Sequence, residues 1–333
     1  MTRQIELVNR RLAALAIGLA GAGLLPGATA FAQQPAAADA TRPLRIVVPF
    51  SAGTTVDAVG RALATRLSEA LGRPVIVDNK PGVAGALGSR DVAKSTAPRD
   101  TLLFTVSNTI TINPHIYANL GYQEQELQPV AMVGAGSYLL VANPASGIKT
   151  IPDLIAKAKA AGTPLTYGSY GVGSGPHLCM ELFTQRSGIT LTHVPYKTPP
   201  IQDVVGGHLD LSVEPPVTAL PFADEGKVNA LGYTTTLKIG RSKNPIPSVS
   251  DALPGYECSA WLAFFAPTAA GPEFATRIHA EVQRQLDNPD VRTRIRDLGL
   301  EPATMPRAEF RTYVEKEVLH WGRVVKAAGI KPQ

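Results

Sequence analysis

Small hydrogen-bond donors cluster at two places in the chain, Phe50-Ser51-Ala52-Gly53-Thr54 and Ser169-Tyr170-Gly171-Val172-Gly173-Ser174. Each cluster follows a short apolar run and opens an amphipathic stretch, the pattern of a strand, a glycine-rich loop and a helix. The first N–H groups of a helix have no carbonyl partner within it, and the helix dipole places partial positive charge there. Serine, threonine and glycine leave those groups reachable, so the chemistry on offer is the holding of a small anion such as a carboxylate. Two such units, roughly a hundred residues apart, describe a clamp with one jaw on each of two lobes.

Further candidates flank the two loops. Asn79-Lys80-Pro81-Gly82-Val83-Ala84-Gly85 contributes Gly82 and Ala84, and the end of the strand 101–106 contributes Ser107 and Asn108. His177 falls inside the second helix, either as a ligand contact or as a buried structural histidine. Tyr196 ends a strand, where α/β ligand sites open, and Glu214 follows the run 209–213. That carboxylate either receives an ammonium or hydroxyl group of the ligand or faces solvent. Asp57 is expected to order its loop or cap its helix, because a carboxylate would repel an anion.

Catalytic readings fail on spacing. A nucleophile elbow needs Gly-x-Ser-x-Gly, but Ser169 has Tyr167 two residues before it and Ser174 lies between Val172 and Pro176. His177, Cys179 and Glu181 match no zinc spacing. Neither loop spells the Gly-x-Gly-x-x-Gly of a dinucleotide fold. No catalytic residue, metal or cofactor is expected.

The elements that position these loops alternate: strand 44–48, helix 56–71, strand 75–77, helix 84–95 and strand 101–106. After a strand near Leu139-Leu140-Val141 the pattern restarts with helix 152–161, strand 165–167, helix 176–187 and strands 190–194 and 209–213. Two α/β lobes with mainly parallel sheets are expected. Ala260 to Ala266 would return the chain to the first lobe, with helices near 272–287, 289–298 and 307–328 packing there. Domain one is then 42–138 with 264–333, and domain two is 139–263. Lys243 to Pro254, with three prolines, reads as surface loop.

Arg3, Arg10 and Arg11 precede an uncharged stretch of 14 residues from Leu12 to Leu25, and Ala30-Phe31-Ala32 offers a cleavage site. The stretch is shorter than the ~20 residues that span a bilayer, so residues 1–32 read as a signal peptide and 33–41 as a flexible leader. Export by the general or the twin-arginine route leads to the periplasm. Cys179 and Cys258 are the only cysteines; neither is near the cleavage site, so no lipid anchor is expected, and whether they pair stays open. Removing residues 1–32 takes away three Arg and one Glu, which lowers the net charge from +5 to +3. That is too mild a balance for a nucleic-acid partner.

Taken with Asp78-Asn79-Lys80-Pro81-Gly82, His193-Val194-Pro195-Tyr196-Lys197 and Trp321, the two loops resemble those of the Bug-type (TctC-like) solute-binding receptors of tripartite tricarboxylate transport systems. The likeness runs from about Arg42 to about Lys331. It implies a two-lobed, type II-like periplasmic binding protein that is not an enzyme. Such a protein, expected as a monomer, holds a small carboxylate in the interdomain cleft and passes it to membrane transporter subunits. By resemblance Ser169 and Ser174 hold the carboxylate, and Ser169, Gly171, Gly173, Ser174 and His177 match the family pattern. Thr54 and Ala84 depart from it, since relatives usually carry glycine there. A ligand-presenting sensor component shares every one of these features, and a secreted serine hydrolase is the competing class.

Overall fold

The computed structural model describes residues 42–240 and 242–332. The expected signal peptide and leader lie outside the described residues. Two mixed sheets carry the fold. The first is built from β1 (Leu44–Val48), β2 (Val75–Asn79), β3 (Thr101–Val106) and β4 (Leu127–Ser137), and the second from β5 (Leu139–Ala142), β6 (Leu165–Ser169), β7 (Leu191–Pro195), β8 (Leu211–Glu214) and β9 (Asn229–Tyr233). The chain then returns to the first sheet with β10 (Ser259–Pro267) and β11 (Glu301–Pro302). The orders are β11-β4-β10-β3-β1-β2 and β7-β6-β8-β5-β9.

The α/β class holds, but neither sheet is mainly parallel. β1 pairs in parallel with β2 and β3, whereas β10 runs antiparallel to both β3 and β4. In the second sheet β6 is parallel to β7 and β8, and β5 is antiparallel to β8 and β9. Apolar runs buried on both faces look alike in either direction, so direction is set by the connections rather than by the pattern. Both glycine loops still leave from the carboxyl ends of parallel strands, β1 and β6.

Each helix forms where its stripe and caps dictate. The Thr55–Leu71 helix buries Val56, Val59, Leu63 and Leu67 against the first sheet and stops at Gly72, which takes the left-handed conformation. The Pro272–Leu286 and Pro289–Asp297 helices pack on the same core. The last helix, Arg307–Ala327, departs from expectation. Phe310 and Val314 pack in the core of the first sheet, whereas Trp321, Val324 and Val325 pack with Leu178, Cys179 and Leu182 in the core of the second. It straps the two sheets together. The strip 243–254 is not all surface, because Ile246 and Val249 are buried and Val249–Ala252 is a short helix with a capping box from Ser248 and Asp251.

Cys179 and Cys258 form a disulfide across a separation of 79 residues. It ties the Gly175–Ser187 helix to the segment that leads into β10. A loop of that length, once closed, stabilises a fold by about 4 kcal/mol through the unfolded chain.

Candidate functional site

The first loop is held by a buried carboxylate. Asp57 accepts the Gly53 N–H at 2.9 Å, Asn79 Nδ2 at 2.9 Å and Arg61 Nε at 3.1 Å. Burial pushes its carboxyl up, but the hydrogen bonds from Arg61, Gly53 and Asn79 outweigh that and hold it below the usual range. Asn79 also donates to the Phe50 carbonyl at 3.1 Å, so β2 helps to shape the loop after β1. Asp57 therefore orders the loop, as expected. Thr54 is the N-cap of the Thr55–Leu71 helix; its Oγ1 accepts from the Asp57 N–H and donates to the Ser51 carbonyl at 2.9 Å. Ser51, Ala52 and Gly53 are exposed, with Phe50 and Thr54 half-buried.

The neighbouring loop is strained. Val83 and Ala84 both take positive φ, at 47° and 50°, a region that L-residues with a Cβ avoid. Ala84 is exposed and its carbonyl accepts Asn113 Nδ2 at 2.9 Å. Gly82 precedes the Val83–Gly85 turn. A Cβ at Gly85 would meet Thr109 Oγ1 at 3.0 Å and the Phe50 ring at 3.5 Å, so this loop, the Phe50 loop and the Ser107–Thr111 helix converge. Ser107 is buried beside Asn108, its Oγ donating to Asn108 Oδ1 at 3.3 Å.

The second loop is built around histidine. Ser169, fully buried at the end of β6, places its Oγ 2.6 Å from His193 Nε2, donates to the Gly171 carbonyl at 3.2 Å and accepts the Gly171 N–H at 3.2 Å. Ser174 is the N-cap of the Gly175–Ser187 helix; its Oγ accepts from the His177 N–H and donates to the Gly171 carbonyl at 2.8 Å. His177 is buried and its Nδ1 accepts the Gly173 N–H at 3.0 Å. Of its two readings, the structural histidine is the one this geometry describes. The rings of Tyr167, His193 and His177 stack, with 4.0 Å between the two imidazole centres. Burial lowers the pKa of His177 to about 3 and that of His193 to about 4, so both are neutral at pH 7.

Glycine is required here by space as well as by φ. A Cβ at Gly173 would lie 2.2 Å from Ile116 Cδ1, and one at Gly175 would lie 2.5 Å from the Tyr138 hydroxyl and 3.2 Å from Asn108 Nδ2. The second jaw thus rests on Asn108 and Ile116, which follow β3 of the first sheet. Among the described residues the N–H groups of Ala52 and Thr55 on one loop, and of Val172 and Gly175 on the other, have no hydrogen-bond partner.

Glu214 ends β8 and is fully buried. Tyr170, inside the glycine loop, donates its hydroxyl to Glu214 Oε2 at 2.6 Å. Burial pushes the Glu214 carboxyl up to about 7. The solvent-facing alternative for this residue does not survive. Tyr196 is half-buried and its hydroxyl donates to Asp203, while its N–H donates to the Ser169 carbonyl at 3.0 Å. Sequence reasoning left out Tyr138, Tyr170 and His193 as members of the site. Tyr170 stands between Ser169 and Gly171, and His193 heads a quoted family motif, so position alone marked both.

A serine 2.6 Å from a histidine is also the geometry of a nucleophile and its base. Here the serine oxygen is buried, and among the described residues no carboxylate hydrogen-bonds His193. No group of residues able to hold a metal ion occurs among those described. A cavity of about 510 Å³ lies apart from both loops, lined by Ile110, Tyr122, Leu127, Phe265, Val314 and Leu319 among others.

Comparison with known proteins agrees with this geometry. BugT of Bordetella pertussis (strain Tohama I) is 29% identical over 97% of this chain and 99% of its own. A UPF0065 protein from the tcbD-tcbE intergenic region of Pseudomonas sp. (strain P51) is 29% identical over 92% of each chain. Among solved structures, R. palustris Rpa4515 with adipate superposes with a TM-score of 0.73 at 29% identity, covering 88% of this chain and 99% of that one. MatC from Rhodopseudomonas palustris with bound malate gives 0.67 at 28% identity, over 85% and 99%. The periplasmic binding protein BugD gives 0.71 at 26% identity, over 88% and 99%. BugD is described as a periplasmic binding protein, and the family described as "Tripartite tricarboxylate transporter family receptor" (TctC) matches residues 59–330. The chain belongs to that family of periplasmic solute-binding receptors.

Proposed function

We propose that this protein captures a small organic carboxylate between its two sheets and delivers it to membrane subunits of a tripartite tricarboxylate-type transporter. The observation that carries the reading is the pair of capped helix N-termini, at Thr54 and Ser174, each leaving unpaired N–H groups. Charge-assisted bonds from such groups contribute about 1.5–3 kcal/mol each, with up to ~2 kcal/mol more from a helix dipole. Relatives held adipate and malate, which supports a carboxylate here. The hydroxyls of Ser169 and Ser174 are engaged within the loop, so we assign them to shaping it and give the ligand contacts to the backbone N–H groups and Asn108.

In this reading the lobes are 42–138 with 264–333, and 139–263, except that β10, which the expected boundary cuts, goes wholly with the first lobe. The protein works as a monomer in the periplasm after cleavage near Ala32. A denaturation-shift screen of the purified mature chain against mono- and dicarboxylates tests the function. A ligand present at a hundred times its Kd should add about 2.7 kcal/mol of stability. Hydrolysis of an ester or amide, with no stabilisation by any acid, overturns the reading.

A further inference from the structure

We propose that Glu214 is the specificity-determining residue of this site and that it receives a cationic nitrogen, making the ligand an amino-bearing carboxylate rather than a plain one. The inference rests on the carboxylate reading above. Glu214 is 0% exposed, and only one of its oxygens is partnered: Tyr170 donates to Oε2, while Oε1 is buried with no hydrogen bond among the described residues. Ser212 Oγ lies close enough to the carboxyl to lower its pKa as a donor, but it meets no hydrogen-bond geometry and is unpartnered too. No Lys or Arg among the described residues pairs with Glu214, and the groups that act on it are the Tyr170 and Ser212 side chains, with Thr218 in turn beside the Tyr170 hydroxyl. Buried polar atoms are almost always satisfied, and an orphan in a native fold points to a role.

Its place in the fold says what that role is. Glu214 stands opposite Leu139 in the β5–β8 ladder, so it neighbours Tyr138, whose hydroxyl lies against Gly175 at the start of the second helix. Tyr170, its hydrogen-bond partner, belongs to the second loop itself. The orphan oxygen therefore sits behind the jaw whose N–H groups hold the carboxylate. A hydroxyl would satisfy Oε1 but leave a buried negative charge; an ammonium supplies donors and neutralises it. A second carboxylate at this end would meet Glu214 and be repelled. The site thus joins donors for an anion in the second loop to an acceptor for a cation behind it, linked through the Tyr170 hydroxyl, the two kinds of group an amino acid requires.

The test is calorimetry with pairs of acids that differ in one group: succinate, L-malate and L-aspartate; glutarate and L-glutamate; adipate and L-2-aminoadipate; phenylacetate and phenylglycine. The mature parent chain is expected to bind the amino member of at least one set about tenfold or more tighter than its bare partner. Glu214→Gln should remove that preference. The parent comparison needs no variant, so it decides even if Glu214→Gln does not fold. Equal binding of amino and bare members, tighter binding of the bare member, or malate matching aspartate overturns the inference and leaves the carboxylate reading standing. Binding of no acid in any set by folded protein overturns both.

Discussion

Ser169 Oγ lies 2.6 Å from His193 Nε2, joining the ends of two neighbouring parallel strands beneath the second glycine loop. The same hydroxyl accepts the Gly171 N–H, so the turn of the loop and the position of β7 depend on one oxygen. A ligand-facing serine would be exposed and cheap to truncate. This one is neither.

Ser169→Ala should therefore lower stability, by about 1–3 kcal/mol, since it strands buried polar partners. Ser174→Ala removes a helix cap and should cost about 0.5–2 kcal/mol. Urea denaturation measures both. If both variants unfold at the parent midpoint, the hydroxyls are not the structural supports described.

The stacked histidines make the fold acid-sensitive. Their native pKa values, about 3 for His177 and about 4 for His193, lie below the ordinary 6.5. The unfolded chain thus takes up protons first, and the stability they contribute, complete above about pH 6.5, is lost as pH falls toward 4 and below. His193→Asn should flatten that slope. Denaturation midpoints between pH 7 and pH 5 that run parallel in parent and variant would contradict the assignment.

Glu214 works in the opposite direction. Its native pKa of about 7 exceeds the usual 4.5, so the native state holds the proton longer than the unfolded chain does. The corresponding stability is present below about pH 4.5 and lost as pH rises through 7. Glu214→Gln without ligand should match the parent near pH 4.5 and exceed it at pH 8 by up to about 3 kcal/mol, at roughly 1.36 kcal/mol per unit. Equal stability at both pH values would mean the carboxyl is not buried as described.

The Val83-Ala84 turn carries strain that glycine relieves. With φ at 50°, Ala84 sits where a Cβ costs about 1–2 kcal/mol, partly offset by the unfolded-state freedom of glycine. Ala84→Gly should stabilise the protein by about 1 kcal/mol in denaturant titration. A loss of similar size would place the backbone elsewhere.

Much of this was legible because local signals coincide with elements. Glycine after Leu71, the stripe Val56, Val59, Leu63 and Leu67, and the prolines at 272 and 289 bound helices within a residue or two. The long strand β4 was missed because its alternation is broken by Gly134 and Gly136. Glycine there is a matter of space, with the Glu301 carbonyl and Leu300 close by. The candidate loops were found from residue type alone, but their wiring was not. Nothing local says that the Ser169 hydroxyl turns inward to His193, since that depends on where β7 arrives, whereas the Thr54 cap follows from the Thr-x-x-Asp spacing to Asp57 and was within reach of a local reading. The fate of Cys179 and Cys258 likewise waited on the tertiary fold that brings their Cα atoms to 5.5 Å.

The central claim is that a carboxylate sits between the two helix N-termini, and the crystallographic location of an acid found by the stability screen tests it most directly. The account predicts carboxylate oxygens within hydrogen-bonding distance of N–H groups in both loops, from Ala52 or Thr55 on one side and Val172 or Gly175 on the other. An acid bound instead in the cavity between Phe265 and Leu319, with both loops left empty, would contradict it.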